Sequence, residues 1–267
     1  KTIYDVPLLL AKQKFDLVTL EKLNCKNPTR LNIRKWNDFL SKLKNPKKIV
    51  QIAIVGKYVE LKDAYKSISE ALIHGGVFNR CEVKIKWVHS EDVNVKTKFK
   101  LFENCSGIVV APGFGERGIN GKLITIEYAR TQNIPFLGIC LGMQMAVVEF
   151  SRNVLGLKTA HSTEINSKTK YPVIDLMQDQ KVLLNKGGTM RLGSYKCKLT
   201  KKSKTYNAYK EDQIEERHRH RYEFNNDFLD YFKKSDMKFV GVNPESGLIE
   251  ILELKNHKWF IAVQFHP

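Results

Sequence analysis

The stretch Pro135-Phe136-Leu137-Gly138-Ile139-Cys140-Leu141-Gly142-Met143-Gln144 decides the fold. An apolar run of strand length, 135–139, passes into an apolar helical pattern at 143–150 with no loop between them. A cysteine stands at the junction, flanked two residues away on each side by glycine. A nucleophile on so tight a strand-to-helix turn needs small neighbours, because its backbone is strained and its side chain must stand clear of the sheet. Helix N-terminal N–H groups favour a thiolate over a thiol, so the site is also expected to activate Cys140. A buried structural cysteine is the competing reading, and a lone G-x-C-x-G pattern fits either.

Other short apolar runs surround this one: 49–55 (IVQIAIV) followed by Gly56, and 107–111 (GIVVA). Alternation of Val83, Ile85 and Trp87 with lysines reads as a further strand. Helical patterns occupy 64–78 and 121–130. Strands alternating with helices imply an α/β fold, a mainly parallel central sheet wound by helices, with its chemistry beyond the strand ends. Runs at 195–199, 239–242, 248–254 and 259–265 are closely spaced and predict an antiparallel C-terminal extension. The polar stretch 200–216 reads as a mobile loop. Residues 1–46 show broken helical periodicity and end in the Lys/Asn/Pro-rich 41–48, so 1–46 is expected to be a linker or tail and 47–267 the main domain.

The last of these runs leads into Gln264-Phe265-His266-Pro267. A histidine at a strand end beside the elbow can accept the thiol proton and return it to a leaving group. Acyl transfer also needs donors for a tetrahedral oxyanion. The loop Ala111-Pro112-Gly113-Phe114-Gly115-Glu116-Arg117-Gly118 follows a buried strand and is placed to supply one. Pro112 has no N–H, which leaves the Gly113 and Leu141 N–H groups as candidates.

The formal charge of +17 raises the possibility of nucleic-acid binding. The lysines are dispersed, however, with no RNA-binding aromatic signature, so a solvated Lys-rich surface is expected, with neither nucleic acid nor membrane as partner. The opening residues do not form a signal peptide and no run of about twenty apolar residues occurs, which predicts a cytoplasmic protein. Five scattered cysteines without a C-x-x-C pair argue against a disulfide framework and against a metal site.

Taken together, GICLGMQ at 138–144 and FHP at 265–267 resemble the triad glutaminase amidotransferases, of flavodoxin-like glutaminase fold. Ile3-Tyr4-Asp5-Val6-Pro7-Leu8-Leu9-Leu10, VGKYVEL at 55–61, DAYKS at 63–67, GGTMRLG at 187–193 and ERHRHRYE at 216–223 resemble the CTP synthases within that group. The resemblance implies that Cys140 attacks the glutamine amide, with His266 as base and acid. The family's third triad member, a Glu, matches the position just after Pro267, so 47–267 is expected to be a C-terminally truncated glutaminase domain and 1–46 a tail from a preceding synthetase domain.

Gly113, Gln144, Glu164, Arg221 and Tyr222 are implied as glutamine-binding residues, with Glu164 facing the α-ammonium. Phe114 and Arg117 are implied as parts of a lid near the activator GTP. No cofactor is implied for this domain; ATP, Mg²⁺ and GTP, an N-terminal synthetase domain and a homotetramer are implied for the complete enzyme, which makes CTP from UTP. The family commonly has PGGFG where this chain has APGFG, with Pro112 in place of a glycine. A glutaminase serving another synthetase and a catalytically silent domain of the same fold are the alternatives.

Overall fold

A computed structural model describes residues 2–25, 31–176 and 190–267. Two compact units are present: Lys1–Val50 with Ser67–Lys84, and Gln51–Lys66 with Ile85–Pro267.

Among the described residues, nine strands form one sheet. From edge to edge they are β2 (Cys81–His89), β1 (Lys48–Gly56), β3 (Gly107–Val110), β4 (Phe136–Ile139), β12 (Phe260–Val263), β11 (Ile249–Leu254), β10 (Met237–Val242), β7 (Arg191–Leu199) and β8 (Gln213–His220). The pairs β1–β3, β3–β4 and β4–β12 are parallel. From β12 outward every pair is antiparallel. This is the expected α/β sheet with its antiparallel extension. The last strand in sequence lies in the middle of the sheet, where Val263 pairs with Ile139. The segments that follow β4 and β12 therefore leave the sheet side by side.

Helices α6 (Ile119–Thr131) and α7 (Leu141–Asn153) cover the parallel half, with the single turn α5 (Lys98–Leu101) against α6. Every residue of α7 from Leu141 to Ser151 is buried, the pattern of a helix enclosed on all sides rather than of an amphipathic surface helix. Phe136 and Phe260 stack at 4.2 Å between ring centroids across β4 and β12. A smaller sheet of β5 (His161–Ser162), β6 (Pro172–Leu176) and β9 (Tyr222–Phe224) stands apart.

The other unit carries α1 (Val6–Lys12), α2 (Phe15–Lys22), α3 (Arg34–Lys44) and most of α4 (Lys66–Phe78). In it Tyr4 packs against Trp36, Phe39 and His74, and its hydroxyl bonds the Glu70 carboxylate.

The 200–216 stretch differs from expectation. Lys204–Tyr209 is a helix and Gln213 already begins β8. Its order comes from a residue distant in sequence: the Glu253 carboxylate of β11 accepts from the Lys204 and Thr205 N–H groups at 3.0 and 2.6 Å. Ser203 completes the cap by accepting from the Tyr206 N–H. Among the described residues, no helix is long and apolar enough to cross a membrane.

Candidate active site

Cys140 occupies φ 52°, ψ −104°, a conformation that side-chain-bearing residues avoid. Its N–H donates to the Val263 carbonyl at 2.8 Å, fastening the elbow to the end of β12. The flanking glycines are required by space. A Cβ on Gly138 would lie 2.9 Å from the Gly142 carbonyl oxygen, and one on Gly142 would run into the Val110 carbonyl oxygen. The strand-to-helix turn thus brings β3, β4 and α7 closer than any side chain allows.

The loop after β3 is held from two sides. Buried Lys57, just past β1, donates from Nζ to the carbonyls of Phe114 and Gly115. The Gly115 N–H donates to Glu164 Oε1 at 2.8 Å. A third lysine contact comes from below: Lys122 of α6 is wholly buried and donates to the Ala111 carbonyl at 2.6 Å. Phe114 is 73% exposed, and Arg117 lies over the Tyr58 ring while pairing with Glu91 at 3.2 Å. Tyr65 supports this corner, since its hydroxyl accepts from the Lys57 and Tyr58 N–H groups.

On the β12 side, Gln264 Nε2 donates to Cys140 Sγ at 3.7 Å. Gln144 lies inside α7's buried face, donating to the Tyr222 carbonyl at 2.9 Å and to Gln264 Oε1 at 3.3 Å. Its amide therefore links the elbow helix to β9 and β12. The His266 N–H donates to the Arg217 carbonyl of β8, and its Nε2 has no hydrogen-bond partner among the described residues. Arg221 is exposed, beside half-buried Tyr222. Cys140, Gln144, Gln264 and Tyr222 are thus joined by hydrogen bonds, and the Leu141 N–H and Glu164 act on Cys140 electrostatically; Gly113 stands near the Leu141 side chain, whose Cδ2 would lie 3.6 Å from a Cβ built there. Phe114 and Arg117 stand at the loop's outer side.

The electrostatics depart from expectation at Cys140. Burial pushes the Cys140 thiol up to about 12; the Leu141 N–H, Lys122 and Gln264 oppose the rise, and Glu164 adds to it. The helix N–H acts in the expected direction, but desolvation outweighs it, so the resting group is a neutral thiol rather than an activated thiolate. Burial, then Arg217 and Arg219, lower the pKa of His266 and leave its ring neutral.

Lys57, Lys122 and Gln264 were not singled out by the sequence, nor was a buried cluster next to the site. Arg191 of β7 meets Glu250 of β11 at 2.7 Å and Glu223 of β9 at 3.3 Å. His218 and His220 of β8 contact each other at 2.8 Å and lie against the same carboxylates. The alternation of exposed Arg217 and Arg219 with buried His218 and His220 is the period-2 signature of a strand, and it was the available signal. The 187–189 part of the GGTMRLG stretch lies outside the described residues.

Over residues 60–267 the chain matches the family described as glutamine amidotransferase class-I. It is 56% identical over 267 residues to the CTP synthase of Cytophaga hutchinsonii and 53% identical over 267 residues to that of Christiangramia forsetii. Those alignments take in 100% of this chain but 50% and 49% of the relatives, so the chain spans about half the length of the curated relatives it matches. The glutaminase domain of Trypanosoma brucei CTPS, solved with bound acivicin, is 35% identical with a TM-score of 0.76, over 82% of this chain and 86% of that one. A strained cysteine between two obligatory glycines thus sits in a chain that belongs to the class-I glutamine amidotransferases, in the branch of the CTP synthase glutaminase domains.

Proposed function

We propose that this chain hydrolyses glutamine to glutamate and ammonia, and that the ammonia serves a synthetase domain of the same polypeptide that converts UTP to CTP with ATP and Mg²⁺. The observation that carries the reading is the elbow: Cys140 at φ 52°, fastened to the end of the strand that leads to His266. A side chain is held in so costly a conformation where its placement matters more than its stability.

In this mechanism the Cys140 thiol gives its proton to the neutral His266 imidazole as sulfur attacks the side-chain carbonyl carbon of glutamine. The Gly113 and Leu141 N–H groups receive the developing oxyanion. Collapse expels ammonia, which takes the proton back from His266 and leaves a γ-glutamyl thioester. Water, deprotonated by His266, then releases glutamate and restores the thiol. Glu164 and the Arg221–Tyr222 segment hold the amino-acid end of the substrate, and Gln144 keeps Tyr222 and Gln264 in register with the elbow. The fit of Glu164 to an α-ammonium rests on its charge and on its electrostatic reach to both Cys140 and Tyr222.

Phe114 and Arg117 form the lid over this site, the face on which GTP would act. Among the described residues no cluster of three or more His, Cys, Asp or Glu is arranged for a metal ion, and the chain has no Walker-type phosphate loop. In this reading ATP and Mg²⁺ act in the synthetase half, as the family implies, and the complete enzyme would be a homotetramer.

The test is CTP formation from UTP, ATP and Mg²⁺ by the full-length enzyme, supplied with either glutamine or ammonia. Cys140→Ala is expected to abolish the glutamine reaction, by a thousandfold or more, and to leave the ammonia reaction intact. Retention of glutamine hydrolysis by that variant would overturn the assignment of the nucleophile. CTP from neither donor in the unsubstituted enzyme would remove the CTP synthase reading altogether.

A further inference from the structure

Gln264 is wholly buried and reaches the Cys140 sulfur with its amide, Nε2 to Sγ at 3.7 Å. Its backbone is tied down as well, since its N–H donates to the Glu250 carbonyl of β11 at 2.8 Å. The direction of the amide follows from the bonds around it. The Tyr222 carbonyl can only accept, so the Gln144 NH₂ group faces it at 2.9 Å. The second hydrogen of that group goes to Gln264 Oε1 at 3.3 Å, which turns the Gln264 NH₂ group toward the sulfur. His266 Nε2, by contrast, has no hydrogen-bond partner among the described residues, so base and sulfur are not joined at rest.

A neutral thiol is a weak acceptor, and a buried amide donor aimed at it gains little. A thiolate in the same place is a strong acceptor, because a hydrogen bond to an ionised group is shorter and about twice as strong. The contact is thus stronger in the state that reacts than in the state at rest, which is the condition for an interaction to lower a barrier.

We infer that Gln264 is a catalytic residue, whose fixed side-chain amide donates to the sulfur of Cys140 and holds the thiolate as it forms and attacks. The inference rests on the reading of Cys140 as nucleophile. The thiol proton still goes to His266 and returns to ammonia; Gln264 exchanges none.

The other groups around the sulfur leave this role to Gln264. Burial is the main cause of the raised Cys140 pKa; the Leu141 N–H, Lys122 and Gln264 oppose it, and Glu164 adds to it. In the proposed mechanism the Leu141 N–H receives the oxyanion. Burial lowers the Lys122 pKa to about 7, so its amine has lost its charge at the alkaline pH where the thiolate forms. An amide dipole does not titrate and acts at every pH.

The test is the rate of Cys140 alkylation by iodoacetamide in the whole chain between about pH 7 and 9, read by mass spectrometry of the Cys140 peptide. Gln264→Met keeps the side chain's length and removes the donor. Loss of a hydrogen bond to a charged group raises the thiol pKa by about one unit or more. The more basic thiolate is also the better nucleophile, so alkylation is expected to slow by about three- to tenfold at each pH. A merely structural role predicts the opposite sign, because a loosened elbow admits the reagent and speeds the reaction. Alkylation of buried Cys197 reports such loosening and is expected to stay unchanged. The kcat for glutamine hydrolysis is expected to fall about tenfold, with KM within about twofold of the parent, since Gln264 touches the sulfur and not the substrate.

Alkylation of Gln264→Met at the parent rate or faster would overturn the inference, and so would ammonia release at the parent kcat. If Gln264→Met does not fold, as judged by circular dichroism, Gln264→Leu decides by the same two readouts. Ammonia release from glutamine by the unsubstituted chain and by Cys140→Ala, run alongside, keeps the two readings apart. Slowed alkylation without Cys140-dependent ammonia release removes the glutaminase and with it the catalytic role, and leaves Gln264 only as the donor that holds the sulfur. Cys140-dependent release with unslowed alkylation removes the Gln264 inference alone.

Discussion

Gly142 shows how narrowly the elbow is specified at the scale of one residue. A methyl group there meets the Val110 carbonyl oxygen, so Gly142→Ala has to push α7 away from β3. Overpacking of this kind costs about 1–3 kcal/mol, readable as a lower urea midpoint. Because the shift also moves the Leu141 N–H, glutamine hydrolysis is expected to fall further than stability alone predicts. Gly156→Ala makes a useful contrast: its added Cβ meets nothing within 4 Å, so only its positive φ of 75° resists the change. The elbow glycines were legible in sequence because their spacing about Cys140 is local. The lysines were not, since a lysine's burial is decided by distant chain segments: Lys57 and Lys122 look like any other of a Lys-rich surface until β3 and α6 are packed around them.

At the scale of elements, β7, β8, β9 and β11 share a buried charge cluster whose titration can be followed. His218 and His220 stay neutral in the folded chain down to about 3 and about 2, chiefly through burial, against an ordinary value of 6.5. Burial raises Glu223 to about 8 and raises Glu250 as well, each against an ordinary 4.5. The signs follow from which state binds more protons. From about pH 7.5 to 8 the histidines are neutral in both states, and the folded chain keeps a proton on Glu223 that the unfolded chain has lost. Stability therefore falls as pH rises through this window, by about 1.4 kcal/mol per unit at most for one proton.

From about pH 7.5 down to 4.5 the histidines and carboxylates oppose each other. Below 4.5 the histidines alone remain and stability drops with further acidification. Urea melts of Glu223→Gln between about pH 7.5 and 8 are expected to show a flatter decline than the parent; an unchanged slope would mean that Glu223 is ionised in the folded chain. Arg191→Met leaves two buried carboxylates without their cation and is expected to cost about 3–5 kcal/mol in neutral to mildly alkaline buffer, with a smaller loss near pH 5, where Glu223 is protonated in the folded chain. The strand β8 was hidden at the sequence level because RHRHR has the composition of a solvated charge run, although its alternation is that of a half-buried strand. The helix Lys204–Tyr209 was hidden for a different reason: its cap is Glu253, some fifty residues away.

For the whole molecule, the family was legible from two motifs far apart in sequence, at 138–144 and 265–267, and the sheet order explains why they meet: β12 inserts beside β4. The surface charge of +17 had no comparable pointer to a partner. The distribution of the five cysteines, none of them in a disulfide, carries a further consequence. Peroxide attacks thiolates, and access decides which are reached. Cys25 is exposed and Cys81 and Cys105 are half-buried, whereas Cys140 and Cys197 are buried and both pushed up to about 12. Mild hydrogen peroxide is thus expected to convert Cys25 to its sulfenic acid well before Cys140, as read by dimedone labelling of each peptide. The burial that leaves the Cys140 thiol sluggish also gives it a long chemical lifetime under oxidative stress, because oxidants find the sulfur in its unreactive form and have an outer cysteine to consume first.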